Sequence, residues 1–214
     1  MHVCDYYCEV GVRERLTPTA STHKGAASEA DASAQLFDAS FEPSVHRRLP
    51  ETDLKAAPFA SEVAMFCFAH GCRLATREEA AANAIPAVTS FVLTAADKTR
   101  MYGACIVWYE RLADEVVTAY LDERGAAHAD EQRALLDEAE QAEHALVGGS
   151  PPHPSAARPA LEAHAPEGIC LLSRVPVFDA LMEACRQLFR MRISSDGPIP
   201  AESLNALLST AMPS

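Results

Sequence analysis

Seven cysteines and eight histidines are the residues of this 214-residue chain best suited to chemistry, and zinc coordination is the first use to test. A structural zinc site draws tetrahedrally placed S and N ligands, usually from closely spaced pairs. No CxxC pair occurs: the cysteines stand at 4, 8, 67, 72, 105, 170 and 185, and the histidines scatter. Cys4 and Cys8 fall in an alternating strand pattern and are expected on one face, but no second pair joins them. The spacing argues against a metal. An odd number of cysteines, mostly inside apolar runs, suits reduced, buried thiols of a cytosolic protein.

Acid–base and phosphate chemistry fare no better. His70, just before Gly71, would need a nucleophile as partner, and no GxSxG motif is present. An exposed turn histidine is the plainer reading. Neither GxGxxG nor GxxxxGK[ST], whose backbone amides cradle phosphate, occurs. Gly103 lies within a strand pattern and marks a bulge or a close backbone approach. Trp108 and Tyr109, near the end of that strand, read as core and edge aromatics, with interface anchoring as the weaker alternative. On the residues alone there is no catalytic, cofactor-binding or metal site.

The elements that would position any site follow from periodicity. Val3 to Val12 alternates, with Cys4, Tyr6, Cys8, Val10 and Val12 opposite Asp5, Tyr7 and Glu9, which predicts a half-buried strand. Arg13 to Ser40 lacks a sustained period and reads as a flexible insertion. Pro43 and Pro50 bar a helix through FEPSVHRRLPETD (41–53), leaving extended chain with turns, anchored by Phe41, Val45 and Leu49. VAMFCF (63–68), apolar throughout and followed by His70-Gly71, predicts a second, buried strand ending in a turn. Residues 75–84 read as a short helix or a loop. Thr89 to Thr94 and Arg100 to Tyr109 are β-branched and aromatic, and Asp97-Lys98-Thr99 between them predicts a hairpin tip.

The net charge is −12, and it is concentrated. Leu112 to Val147 holds ten acidic residues against Arg124 and Arg133. A solvated helix capped by Asp130 and running through Leu135, Ala139, Ala142 and Leu146 is the favoured reading, with docking of a basic partner the alternative. No cluster of Lys and Arg is available for phosphate, which excludes a general nucleic-acid surface. Neither a signal-peptide pattern nor a long apolar run is present, so the chain reads as soluble rather than secreted or membrane-spanning. Residues 148–166, rich in Pro and Gly, read as a linker returning the chain to Gly168.

From Gly168 to Met191 the pattern is strand, corner, helix. Ile169 to Leu172 is an unbroken apolar run, as in a strand covered on both faces. Pro176 predicts a helix start, because its missing N–H is one that a first turn does not use. The stripe Phe178, Leu181, Met182, Cys185, Leu188 and Phe189 requires a sheet to dock on. A second short helix is expected from Glu202 to Ala211.

Several of these segments together resemble the N-terminal part of a DENN domain, the uDENN region with the start of the central cDENN region. FEPSVHRRLPETD resembles that family's proline-bounded segment, MFCFAHGCRL its FCFP-x-G stretch, and SFVLTAADKTRMYGACIVWYE its FVLT…G-x-R-x-YG-x-C hairpin. ICLLSRVPVFDALMEACRQLF is similar to the CLLS-x-x-P-x-F strand and helix, and PIPAESLNALLSTAMPS to the lead-in of the central region.

The resemblance implies an α+β fold: a longin-like antiparallel sheet of about five strands flanked by helices, with a disordered N-terminal insertion and an acidic helical insertion. It places a uDENN/longin-like module at residues 1–195, with insertions at 13–40 and 112–166, and the beginning of a truncated cDENN region at 196–214. It also implies the N-terminal lobe of a guanine-nucleotide exchange factor for Rab-family small GTPases in membrane trafficking. Such a regulator uses no cofactor and no covalent catalysis. The expectation is a cytoplasmic fragment, peripheral on membranes through partners, with little activity without the remaining DENN lobe. Its GTPase-binding residues are unknown. The rival expectation is a non-catalytic longin-like protein-binding scaffold.

Overall fold

The computed structural model describes residues 4–19, 35–55, 57–94, 98–124, 161–195 and 198–204. Its strands are β1 (Tyr6–Gly11), β2 (Ser40–Phe41), β3 (Ser44–Leu49), β4 (Cys72–Arg73), β5 (Ala87–Thr94), β6 (Arg100–Arg111) and β7 (His164–Ser173). Its main helices are α1 (Val63–Cys67), α2 (Arg77–Ala82), α3 (114–124) and α4 (Phe178–Ser194), and residues 35–38 and 201–204 are also helical. Five strands form one antiparallel sheet in the order β3-β1-β7-β6-β5, and β2 pairs with β4 in a separate ribbon. The fold is α+β, a five-stranded antiparallel sheet flanked by helices.

The sheet has a core on each face. On one face Tyr6, Cys8, Val10, Cys105, Cys170 and Leu172 meet α1, Phe41, Leu112 and the α3 residues Val117 and Tyr120. On the other, Tyr7, Ala104, Ile106, Ile169 and Leu171 meet Leu181, Ala184, Cys185 and Leu188 of α4. The docking required by the helical stripe is therefore met. The Cys185 thiol donates to the Ala104 carbonyl at 3.4 Å, joining helix to sheet by a polar contact within the apolar layer. The helix starts at Phe178, with Val177 as N-cap, two residues after Pro176.

Two strand expectations need correction. The run Val63–Phe68 is not a strand: Val63–Cys67 forms α1, with Val63, Ala64 and Cys67 buried and Met65 and Phe66 exposed. Positions i, i+1 and i+4 on one side are a helical spacing, and a short run apolar at every position does not distinguish the two periods. The fifth strand of the sheet is instead β3, from the extended stretch between Pro43 and Pro50. An edge position suits prolines at both ends, because the missing N–H groups are not needed by an inner ladder. The turn after α1 is present, with Gly71 at φ 82°, a left-handed conformation that glycine adopts without cost.

β1 is also more buried than its alternation implied. All six residues are buried, because helices cover both faces of the sheet and β1 lies between β3 and β7. The acids that alternation assigned to solvent are held by arginines, as described below. Cys4 and Cys8 do not share a face: Cys4 precedes the regular strand and packs with Tyr7 and α4, whereas Cys8 packs toward α1.

The hairpin forms as expected, with register pairs from Thr94–Arg100 to Ala87–Val107 and Lys98 at φ 69° beside the tip. Residues 75–84 include α2, whose Thr76 and Glu79 make a reciprocal capping box. Leu16, Leu36 and Ala39, flanking residues 20–34, are buried. The acidic segment starts with α3 packed on the core, its Tyr120 ring edge-on to Phe41 at 5.5 Å. Strand β7 begins at His164, inside the expected linker, and Ala75 and His164 exchange backbone hydrogen bonds of 2.8 and 2.9 Å. Past Pro200, residues 201–204 are helical and Leu204 is buried. The Asp130 helix, residues 20–34, the linker part 148–160 and the helix beyond 204 lie outside the described residues.

Candidate functional site

The polar feature that stands out is a buried ionic network at one end of the α4 face. It is built by strand register. Glu9 on β1 is opposite Arg47 on β3, while Gly11 is opposite Glu167 on β7, which in turn is opposite Trp108 on β6. A register shift near Val10 makes His46 the extra residue of a bulge on β3. Carboxylates and bases from three strands are thereby brought to one place.

Glu9 is fully engaged. Its carboxylate accepts from the Tyr7 hydroxyl at 2.8 Å, from Arg13 at 3.0 Å and from Arg47 at 3.3 Å. Burial raises its pKa, but these donors outweigh that and hold the carboxyl below the usual range. Arg47 also donates to the Ile199 carbonyl at 2.7 Å, tying the chain after α4 to the β3 edge.

Glu167 has the opposite balance. Burial, helped by the nearby Glu110 charge, pushes its carboxyl up to about 8 despite the Arg13 guanidinium and the Arg13 N–H, which donates to Oε1 at 3.1 Å. Beside it lies His46, with a side chain only 1% exposed and both ring nitrogens lacking a hydrogen bond. Those nitrogens are 3.7 Å from Glu14 Oε1 and Glu167 Oε2. Burial and Arg13 both lower the His46 pKa. Near neutral pH the pair is consequently a neutral imidazole beside a largely protonated acid.

Two further ion pairs fasten α4 at its ends. Asp5 accepts from the Arg174 N–H at 2.7 Å and from its guanidinium at 2.9 and 3.0 Å, clamping the corner between β7 and α4. Arg192, in the last turn, reaches both oxygens of Glu110 on β6 at 2.7 and 3.0 Å. Charge-assisted hydrogen bonds this short are stronger than neutral ones and hold each end of the helix to its strand. The network is thus a device that holds strands and helix in one arrangement.

The sequence candidates are dispersed. His70 is exposed in the turn after α1. Gly103 is the close approach its strand position implied: an added Cβ would lie 2.4 Å from the Phe91 ring across the hairpin. Trp108 packs on Phe189 of α4 at 5.1 Å, whereas Tyr109 on the other face is half-buried. Glu9, Arg13, His46, Arg47, Glu167 and Arg192 were not anticipated. The signal available was acids at core positions of strands, Glu9 near Gly11 and Glu167 beside Gly168, which alternation alone assigns to solvent.

The outer surface carries contact features. Met65 (66% exposed) and Phe66 (45% exposed) project from α1, and Phe66 stacks on Phe91 of β5 at 5.7 Å. Val92 on the same edge strand and Ile85 just before it are also exposed. A cavity of about 170 Å³ lies between Glu14–Leu16 and α3, smaller than a typical small-molecule site. Among the described residues, no helix is long and apolar enough to cross a membrane.

The uDENN domain family model matches residues 43–108. That stretch, a little under a third of the chain, runs from β3 through α1, α2 and β5 into β6, and so includes α1 and the hairpin. The chain carries a uDENN match consistent with a DENN domain protein. No solved structure matches it.

Proposed function

We propose that this chain is the N-terminal lobe of a DENN-type guanine-nucleotide exchange factor for Rab GTPases in membrane trafficking. The observation that carries the reading is the uDENN match over residues 43–108. In this reading residues 1–195 are the uDENN/longin-like module, with 13–40 and 112–166 as insertions, and 196–214 begin the central region. The protein acts in the cytoplasm and reaches membranes through its partners.

An exchange factor needs no reacting side chain. It accelerates release by binding the nucleotide-free GTPase more tightly than the nucleotide-bound form, so its work is differential affinity. A rigid sheet with exposed apolar side chains beside it suits that task, because a surface that moved freely would lose affinity to ordering. The exchange reading requires the remaining DENN lobe for full activity.

The test is release of fluorescent GDP from a panel of Rab proteins. Little acceleration by the chain alone and marked acceleration with the second lobe supplied support the reading. Strong acceleration by the chain alone overturns the one-lobe assignment. The second reading, a non-catalytic longin-like scaffold, draws on the exposed Met65, Phe66 and Val92; it expects stable partner capture with nucleotide release unchanged in both arms.

A further inference from the structure

Four thiols meet on the α1 face of the sheet. Cys8, Cys170 and Cys105 are direct register partners across β1, β7 and β6, so their side chains form one row on one face. Cys67, the last residue of α1, closes over that row and lies in side-chain contact with Cys105 and Cys170, and Cys170 with Cys8. All four are free thiols in a single buried cluster. Among the described residues no group of three or more such side chains is arranged to hold a metal ion. The chemistry open to the row is between sulfurs.

The four are not equivalent. Cys8, Cys105 and Cys170 are completely buried, whereas Cys67 is 6% exposed on a helix of five residues whose Met65 and Phe66 face outward. A helix that short is held by packing alone and opens locally far more often than the sheet beneath it. The neighbouring Cys105 and Cys170 thiols outweigh burial at Cys67 and draw its pKa below the ordinary thiol value. Burial and the neighbouring sulfurs keep Cys170 protonated. Accessibility and thiolate character therefore coincide at Cys67, the combination that directs oxidants to a particular cysteine.

We propose that Cys67 is a site of oxidation by hydroperoxides and that Cys105 resolves it, giving a Cys67–Cys105 disulfide that fastens α1 to β6. Cys105 is the partner because, of the two sulfurs beside Cys67, it is the one carried by a strand on which α1 packs, whereas Cys8 is not in contact with Cys67. In the first step the Cys67 thiolate attacks one oxygen of hydrogen peroxide. The O–O bond breaks, hydroxide leaves and takes up a proton to become water, and Cys67 becomes a sulfenic acid. Cys105 then loses its proton and attacks the Cys67 sulfur, the S–O bond breaks, and a second water leaves. Two thiols give up two electrons and one peroxide becomes two waters.

The inference is independent of the exchange reading. Its test uses the full reduced chain, treated with hydrogen peroxide and followed by intact mass and peptide mapping. The wild type is expected to lose two of its seven thiols and yield one cross-linked peptide containing Cys67 and Cys105. Cys67→Ser is expected to lose none, and Cys8→Ser to behave as wild type. In Cys105→Ser a dimedone adduct should accumulate on Cys67. Should Cys105→Ser fail to fold, limited alkylation of the native wild type replaces it, with Cys67 labelled first. Retention of all seven thiols, the same loss in Cys67→Ser, a cross-link without Cys67, or first labelling elsewhere overturns the proposal.

Discussion

Gly11 and Glu167 face each other across β1 and β7 so closely that a Cβ on residue 11 would lie 2.4 Å from Oε1 of the carboxylate. The end of Glu167 is not free to swing away, since it is 2% exposed and holds the Arg13 N–H. Gly11→Ala is expected to destabilise the fold by about 1–3 kcal/mol, the usual range for overpacking. The measurement is the urea midpoint at neutral pH. Gly11→Ala combined with Glu167→Gly should recover part of the loss, and an unchanged midpoint in the single variant would show that the carboxylate relocates at no cost.

Stability should depend on pH through Glu167. Its folded pKa of about 8 lies above the unfolded carboxyl value, so the native state keeps a proton that the unfolded state has lost across that interval. Stability from this group is full below the unfolded value and declines as pH rises toward about 8. His46 acts at the other end. Its folded pKa is lowered, so the unfolded state takes up a proton first and stability falls as pH drops below the ordinary histidine value. Glu9, held low by its donors, adds loss at more acidic pH. Glu167→Gln is expected to flatten the alkaline decline, on the order of a few kcal/mol, in urea titrations from about pH 5 to 9. An equally steep decline in the variant would assign it to other groups.

Leu181 places the α4 stripe against the sheet and is 2% exposed. Leu181→Asp puts a carboxylate without a partner into that layer, a change expected to cost more than about 4 kcal/mol. The module should be unfolded or strongly shifted in its thermal midpoint. An unchanged midpoint would mean that α4 does not hold the sheet.

On the other edge, Gly103 leaves room for the Phe91 ring, which in turn carries Phe66 of α1. Gly103→Ala should displace that ring, at about 1–3 kcal/mol. Because Phe66 stacks on it, α1 should become more accessible to protease, whereas Val92→Thr on the outer side of β5 should leave digestion unchanged. Equal protection in wild type and Gly103→Ala would break the link between hairpin and helix.

Much of the fold was legible in local pattern. The hairpin, the apolar strand after Gly168 and the α4 stripe each carry their own period, so their residues identify them without knowledge of neighbours. Gly103 also announced its role, because a glycine inside a strand implies something large nearby. Part of the family resemblance was legible for the same reason: the uDENN match covers the motifs from residue 43 to residue 108, whereas those in the strand and helix after Gly168 and in the segment after Gly197 lie outside it.

What the tertiary structure decided were matters of pairing. VAMFCF satisfies either period, and it is helical because the sheet beneath receives Val63, Ala64 and Cys67 while Met65 and Phe66 stay outside. Asp5 and Glu9 sit at positions that alternation assigns to water, and they are buried because arginines distant in sequence, Arg174 and Arg47 among them, come back to meet them. The four thiols on 8, 67, 105 and 170 have no common spacing; register across three strands and one short helix makes them neighbours. Local sequence determined which segments could be strands or helices, because period is a property of consecutive residues. Which charges and sulfurs meet depends on strand order and register, and those are set only when the whole sheet closes between its two layers.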